Sequence, residues 1–198
     1  MEQVRKDKKK IIIEYVQSAA IAIALALVIR TFVVQAFRIP SGSMEPTLMV
    51  GDHILVNKFI YGLKLPFVNK TMIPFREPQR EDVIVFIFPQ DKSKDFIKRV
   101  IALPGEKVEI KDTKIYINDE PYKDPYGHYD NQKGTYVFRG RFGPQKVPEG
   151  YVFVLGDNRD HSYDSRYWGF VPVDYIKGKA FIVYWSWPNI NRIFHIIR

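Results

Sequence analysis

The sequence predicts a mainly β protein: a single N-terminal transmembrane helix, then a β-rich domain of antiparallel sheets with a small loop-rich excursion. Three observations predict it. Helical, apolar sequence is confined to the first 37 residues. Beyond residue 38, short β-branched and aromatic runs alternate with Gly, Pro and Asp turn signals, with no helices between them, as in antiparallel sheets. Finally, 14 Phe, 12 Tyr and 3 Trp among 198 residues can fill a packed core, which excludes a disordered chain.

Residues 1–10 carry five Lys/Arg against two acids, and residues 11–37 hold only Glu14 and Arg30. The window 15–34 reaches the roughly 20 residues that cross a bilayer, although it includes Gln17, Arg30 and Thr31. Taken alone, this segment fits three readings. It can be a permanent anchor with residues 1–10 cytoplasmic by the positive-inside rule. It can be a cleavable signal peptide, whose apolar region spans about 7–15 residues; Val34-Gln35-Ala36 offers small residues at a suitable spacing. It can also be a buried helix of a soluble domain. The first two place residues 38–198 outside the cytoplasm, which argues against nucleic acid as their partner.

The strands follow in order. Residues 53–56 come after Gly51-Asp52. Residues 83–88 stop at Pro89, and 96–103 stop at Pro104-Gly105. Residues 107–110 and 114–117 flank Asp112-Thr113 as a hairpin. Residues 151–155 end at Gly156-Asp157, and 180–185 end before Pro188. Residues 118–150 are polar and rich in Gly and Pro, and the excursion is placed at about 106–150. After Asp174 no acid occurs, while four Lys/Arg join Phe181, Tyr184, Trp185, Trp187 and Phe194. That composition suits a membrane interface or a core strand with a frayed tail.

The net charge of +8 leaves nucleic acid, an anionic membrane and acidic substrates open as partner classes. With no cysteine there is no disulfide framework, thiolate zinc site or cysteine nucleophile. His53, His128, His161 and His195 show no metal-ligand spacing, and no Gly-rich phosphate loop is present. No metal and no cofactor is expected.

Three segments carry chemistry. Pro40-Ser41-Gly42-Ser43-Met44-Glu45-Pro46-Thr47 is a tight turn that can present a hydroxyl and aim backbone N–H groups at one spot; it also reads as a plain polar loop. In 96–103, strand alternation puts Lys98 on a face with Phe96, Val100 and Ala102. Desolvation there disfavours the ammonium. An unperturbed lysine, with pKa about 10.4, is almost never neutral near pH 8, so a lysine base needs a lowered pKa. A lysine on the strand rim with its ammonium in water is the bland alternative. The third segment, residues 156–169, is a dense polar loop. It departs from a calcium loop, with Ser162 where a glycine is required and Trp168 where a glutamate is. It can serve as an ion-paired scaffold or donate a histidine to a triad.

Together the three segments resemble bacterial type I signal peptidases, membrane-anchored Ser/Lys endopeptidases. The resemblance rests on Pro40-Ser41-x-Ser43-Met44-x-Pro46-Thr47, on Lys98-Arg99-x-x-x-Leu103-Pro104-Gly105, and on Gly156-Asp157-Asn158-Arg159-Asp160-x-Ser162-x-Asp164-Ser165-Arg166. It implies Ser43 as nucleophile and Lys98 as general base, with the Ser41 hydroxyl and Ser43 N–H as oxyanion hole. Ser162 would hydrogen-bond and orient Lys98. Arg99, Asp157, Arg159, Asp160, Asp164 and Arg166 would be scaffold, and Phe37, Ile39, Pro40 and Ile97 would lie near the pockets for the substrate's small residues. The implied substrates are the signal peptides of exported preproteins, cleaved after a small-x-small motif through an acyl-enzyme.

The resemblance selects the permanent anchor among the three readings. It implies a cytoplasmic head (1–10), an anchor (11–37) in the cytoplasmic membrane and an extracytoplasmic catalytic domain (38–198), with the lipid bilayer as a second partner. Two departures stand out. Some relatives carry two spans and a large insertion, whereas here there is one span and 105–156 is short. His161 lies beside the motif, but with Lys98 present it is taken as a bystander. A relative dedicated to one precursor, and an inactive membrane-anchored binding module, are the alternative readings.

Overall fold

The structure is a computed structural model describing residues 2–64, 71–73, 75–129 and 140–198. Helix α1 (Glu2–Val28) passes through a π-helical turn, Ile29–Val33, straight into β1 (Val34–Arg38). The segment Ile11–Thr31 is long and apolar enough to cross a membrane, and none of it packs inside the protein. Residues 34–37, expected at the end of the anchor, belong to the sheet. Strand β2 (Asp52–Asn57) pairs with them antiparallel, from Val34 opposite Asn57 to Arg38 opposite His53. The junction is fastened by Lys58, whose N–H donates to Val33 O at 2.8 Å and whose Nζ donates to Thr31 O at 2.6 Å.

The remaining elements are β3 (Leu63–Lys64), β4 (Thr71–Ile73), β5 (Val83–Ile87), β6 (Asp95–Ala102), β7 (Lys107–Lys111), β8 (Lys114–Ile117), β9 (Glu120–Tyr122), β10 (Arg141–Lys146), β11 (Tyr151–Leu155), α2 (Ser165–Trp168), β12 (Val171–Pro172), β13 (Ile176–Ser186) and β14 (His195–Ile196). The main sheet runs β1-β2-β13-β5-β6-β11-β12, with β14 on β13. Every pairing among these named strands is antiparallel.

Strand β5 shows that both faces of the main sheet are covered. Its Val83 and Val85 join one core cluster with Ile39, Met44, Leu48 and Ile54, while Ile84 and Phe86 join another with Val100, Val152 and Val154. A strand covered on both faces has no wet side, so its sequence is continuously apolar. Its neighbour β6 is likewise inaccessible along Lys98, Arg99, Val100, Ile101 and Ala102. Lys98 and Arg99 are therefore both buried, and they point to opposite faces. In β13, Ala180 and Val183 are core while Trp185 and Trp187 beyond it are exposed, so this segment divides between core strand and apolar surface.

The excursion is more ordered than its composition implies. Strands β10-β7-β8-β9 form a second antiparallel sheet. The 107–117 hairpin is where the sequence places it, but β9 and β10 were expected to be loop. Both are edge strands, and edges tolerate proline because one row of backbone groups is unpaired. Strand β10 takes up Gly143-Pro144 within a register shift between Phe142 and Gln145. Residues 130–139 of the excursion lie outside the described residues.

Phe153 on β11 joins the two sheets. It is fully buried with Ile101 and Ala102 on one side and Val108 and Ile110 on the other, and its ring packs on Phe142 with centroids 4.9 Å apart. Phe153→Ala is expected to cost about 3–5 kcal/mol, read as a lower midpoint in denaturant unfolding of the full chain in detergent micelles.

Candidate active site

The serine segment connects β1 to β2. Ile39 N–H donates to Asp52 O at 2.8 Å and Gly51 N–H donates to Ile39 O at 3.0 Å, so the loop closes at its base. Met44 and Leu48 are fully buried and peg it to the core. A turn from Glu45 N–H to Gly42 O (3.1 Å) and another from Leu48 N–H to Met44 O (2.9 Å) fix the backbone between them. With Met44 inward, neighbouring Ser43 is left half-buried on the wall of a cleft.

Lys98 reaches the same point from β6. Its Nζ lies 2.7 Å from Ser43 Oγ and donates to Ile97 O at 3.0 Å. The Phe96 ring lies 5.6 Å from the amine. Only 4% of the residue is exposed. Burial drives the amine down to about 8, against the pull of Asp164 and Asp157 and with help from Arg166. Both requirements for a lysine base, contact and a lowered pKa, are thus met in the geometry.

The loop after β11 fastens the other two segments together. Asn158 N–H donates to Ser43 O at 3.2 Å, and Asn158 Nδ2 donates to Gly42 O at 3.0 Å. Asp157, fully buried, accepts from Arg99 Nε (2.8 Å) and Nη2 (2.6 Å) and from Thr47 Oγ1 (2.6 Å). One carboxylate therefore holds the serine loop, the lysine strand and its own loop in register. Arg99 also donates through Nη1 to Glu81 O, and its guanidinium stacks 3.6 Å from the Tyr126 ring centre. Asp164 caps α2 and pairs with Arg166 through Nε (2.8 Å) and Nη2 (2.9 Å). Arg159, wholly buried, pairs with Asp124 and donates to Gly156 O at 2.9 Å. Asp160 is buried at the same loop.

The cleft has a volume of about 730 Å³. Of the residues that the resemblance names, Ser41, Ser43, Lys98, Pro40 and Ile97 line it. Phe37 and Ile39 do not. Ile39, just past β1, is in the core and Phe37 packs against it, in a cluster with Ile54 and Val56 of β2 and Ala180 and Val183 of β13. They support the wall from behind.

Ser162 also departs from expectation. Its hydroxyl is fully buried but has no hydrogen-bond partner, so the bond expected to Lys98 is not made. Lys98 spends its donors on Ser43 and Ile97, while the Ser162 hydroxyl lies against Gly156. His161 lines the cleft together with His128, whereas the hydrogen bond to Ser43 Oγ comes from Lys98.

Sequence reasoning gave no role to Asn158 or His128. Asn158 stood inside the quoted motif, where an amide following Asp157 was a readable signal. His128 joins through its backbone, donating to Asp157 O at 2.7 Å and accepting from Arg159 N–H at 2.8 Å. Backbone bonds of that kind leave no trace in side-chain identity.

A hydroxyl touching a buried amine of low pKa, on the wall of an open cleft, can carry out acyl transfer by nucleophilic attack. Comparison with known proteins narrows this class. Residues 12–185 match the family described as Signal peptidase, peptidase S26. The chain is 41% identical over 215 residues to signal peptidase I of Pseudomonas fluorescens, an alignment covering 92% of this chain and 76% of that protein. It is 40% identical over 182 residues to a probable signal peptidase I-2 of Synechocystis sp., covering 87% and 72%. A signal peptidase I crystal structure from Enterococcus faecalis V583 is 37% identical and covers 53% of this chain and 97% of that one, with a TM-score of 0.44. The chain belongs to the signal peptidase family, peptidase S26.

At Gly156 the loop after β11 presses close against the serine segment. A Cβ there would overlap the Ser162 hydroxyl and the Ser43 carbonyl. Gly156→Ala is expected to cost about 1–3 kcal/mol through overpacking, measured as a fall in melting temperature.

Proposed function

We propose that this chain removes N-terminal signal peptides from exported preproteins after a small-x-small motif, with Ser43 as nucleophile and Lys98 as general base. The observation that carries the reading is the 2.7 Å approach of Lys98 Nζ to Ser43 Oγ in a buried setting that lowers the amine to about 8.

In the proposed reaction, neutral Lys98 takes the Ser43 proton as Oγ attacks the scissile carbonyl carbon. The Ser43 N–H and the Ser41 hydroxyl receive the developing oxyanion. Lys98 then gives its proton to the leaving amine, which departs as the new N-terminus and leaves an ester on Ser43. A water molecule, deprotonated by Lys98, attacks the ester, and the signal peptide's new carboxyl group is released as Ser43 recovers its proton. Arg99, Asp157, Arg159, Asp160, Asp164 and Arg166 hold these groups in place, and Ser162 packs beneath them. Pro40 and Ile97 form the wall against which the substrate's small residues lie, backed by Phe37 and Ile39. No step calls on a metal or cofactor.

The membrane topology belongs to the same proposal. Ile11–Thr31 spans the cytoplasmic membrane, the basic residues before it face the cytoplasm, and the domain beyond faces outward. What supports it is the length and apolar composition of that segment, with none of it packed inside the protein.

Two outcomes are expected with a synthetic preprotein. Ser43→Ala and Lys98→Ala each lose more than about 10³-fold in kcat while melting as the wild type does, and EDTA changes nothing. Full activity in Lys98→Ala would exclude the lysine base. The second outcome concerns pH. Because the base must be neutral, kcat/KM is expected to rise with pH and level off above about 8. Below that it falls about tenfold for each pH unit.

A further inference from the structure

We infer that Arg192, in the turn Ile190–Arg192 near the C-terminus, is a positioning residue for Ser43 that acts through Thr47 and Asp52. The inference rests on Ser43 being the nucleophile as proposed above. Neither Arg192 nor Asp52 belongs to the three segments.

One guanidinium does two things at once. Arg192 Nη2 donates to Thr47 O at 2.8 Å and to Asp52 Oδ2 at 2.8 Å, while Nε lies 3.2 and 3.1 Å from the two Asp52 oxygens. Asp52, wholly buried, also accepts from Ser186 Oγ at 2.7 Å and from the Met49 N–H at 2.9 Å. Burial would raise this carboxyl, but the hydrogen bonds from Arg192, Ser186 and Met49 outweigh it and hold the group below its ordinary value. Asp52 is therefore an ionised, fully engaged clamp that fixes Met49 while Arg192 fixes Thr47.

Thr47 is gripped from two sides. Its hydroxyl donates to Asp157 at 2.6 Å, and its carbonyl accepts from Arg192. The turn from Met44 O to Leu48 N–H joins this grip to Ser43's immediate neighbour. Asn158 holds the loop on the Ser43 side, at the Gly42 and Ser43 carbonyls. Without Arg192 the Thr47 carbonyl loses that bond, and the far half of the loop is left with its core pegs, the Thr47 hydroxyl and the Met49 bond to an Asp52 that has lost its own arginine. Arginine suits the task because its planar fork spans a carboxylate and a carbonyl together, whereas a lysine ammonium is a single compact donor centre. Errors of about 1 Å in reacting groups can cost about 10²-fold in rate.

The test uses the full chain in detergent micelles with a synthetic preprotein, at a temperature where unfolding curves show each variant folded. Arg192→Met is expected to lower kcat about 10–100-fold with KM within about twofold. The rate at which a β-lactam-type probe acylates Ser43 should fall in parallel. Arg192→Lys should recover part of kcat, because it still engages one of the two acceptors. Thr47→Val combined with Arg192→Met should lose less than the product of the single losses, since both act on one residue. Wild-type kcat in Arg192→Met would overturn the inference, as would a kcat loss that Arg192→Lys does not relieve. If Ser43→Ala is inactive while Arg192→Met is fully active, only the positioning role falls. If Ser43→Ala remains active, the nucleophile assignment falls regardless of Arg192.

Discussion

The amine of Lys98 has almost no water to stabilise its charge, and the rest of the site is arranged around that fact. Two carboxylates, Asp157 and Asp164, lie close enough to favour the ammonium. Left bare, they would undo the effect of burial. Each is instead engaged by an arginine through two nitrogens, Asp157 by Arg99 and Asp164 by Arg166. The arginines thus act in two ways: they tie segments together, and they keep the neighbouring negative charge occupied elsewhere. Replacing a buried ion pair by apolar residues is often harmless to stability. Here the pairs also set the electrostatic setting of a third group, which an apolar replacement would not preserve.

That arrangement requires strands distant in sequence to be neighbours. The main sheet supplies this by placing β6 between β5 and β11. Lys98 projects from one face of β6 towards the serine loop. Arg99, on the other face, reaches back around to the loop that follows β11. Adjacent residues thus serve opposite sides of the same site, which is possible only in a strand covered on both faces.

The sequence showed the strands best where burial is greatest. Residues 83–88 and 151–155 are continuous apolar runs ended by Pro89 and Gly156, and β5 and β11 are found there. It showed least where side chains contribute little. Strands β9 and β10 are held by backbone ladders at a sheet edge, and prolines within them mask the pattern. Strand β1 was hidden differently: Val34-Gln35-Ala36-Phe37 continues the apolar character of the helix, and only pairing with β2 makes it a strand. Within the site, Ser43 and Lys98 were legible because their types and neighbours carry the chemistry. Ser162 was expected to bond Lys98 and does not, since small shifts decide which acceptor an amine faces. The Asp52–Arg192 clamp joins residues 140 positions apart and has no local signature.

The passage from α1 into β1 has a mechanical meaning. No slack separates helix from sheet: the π-helical turn ends at Val33, β1 begins at Val34, and Lys58, directly after β2, is stitched to the turn. Five residues of strand, about 16 Å at roughly 3.3 Å each, then lead to the loop carrying Ser43. In the proposed topology this makes the junction a depth gauge. Lengthening it by a few flexible residues would turn a fixed stand-off from the lipid into a leash, and bonds near the membrane surface would lose their advantage over bonds further along an exposed chain.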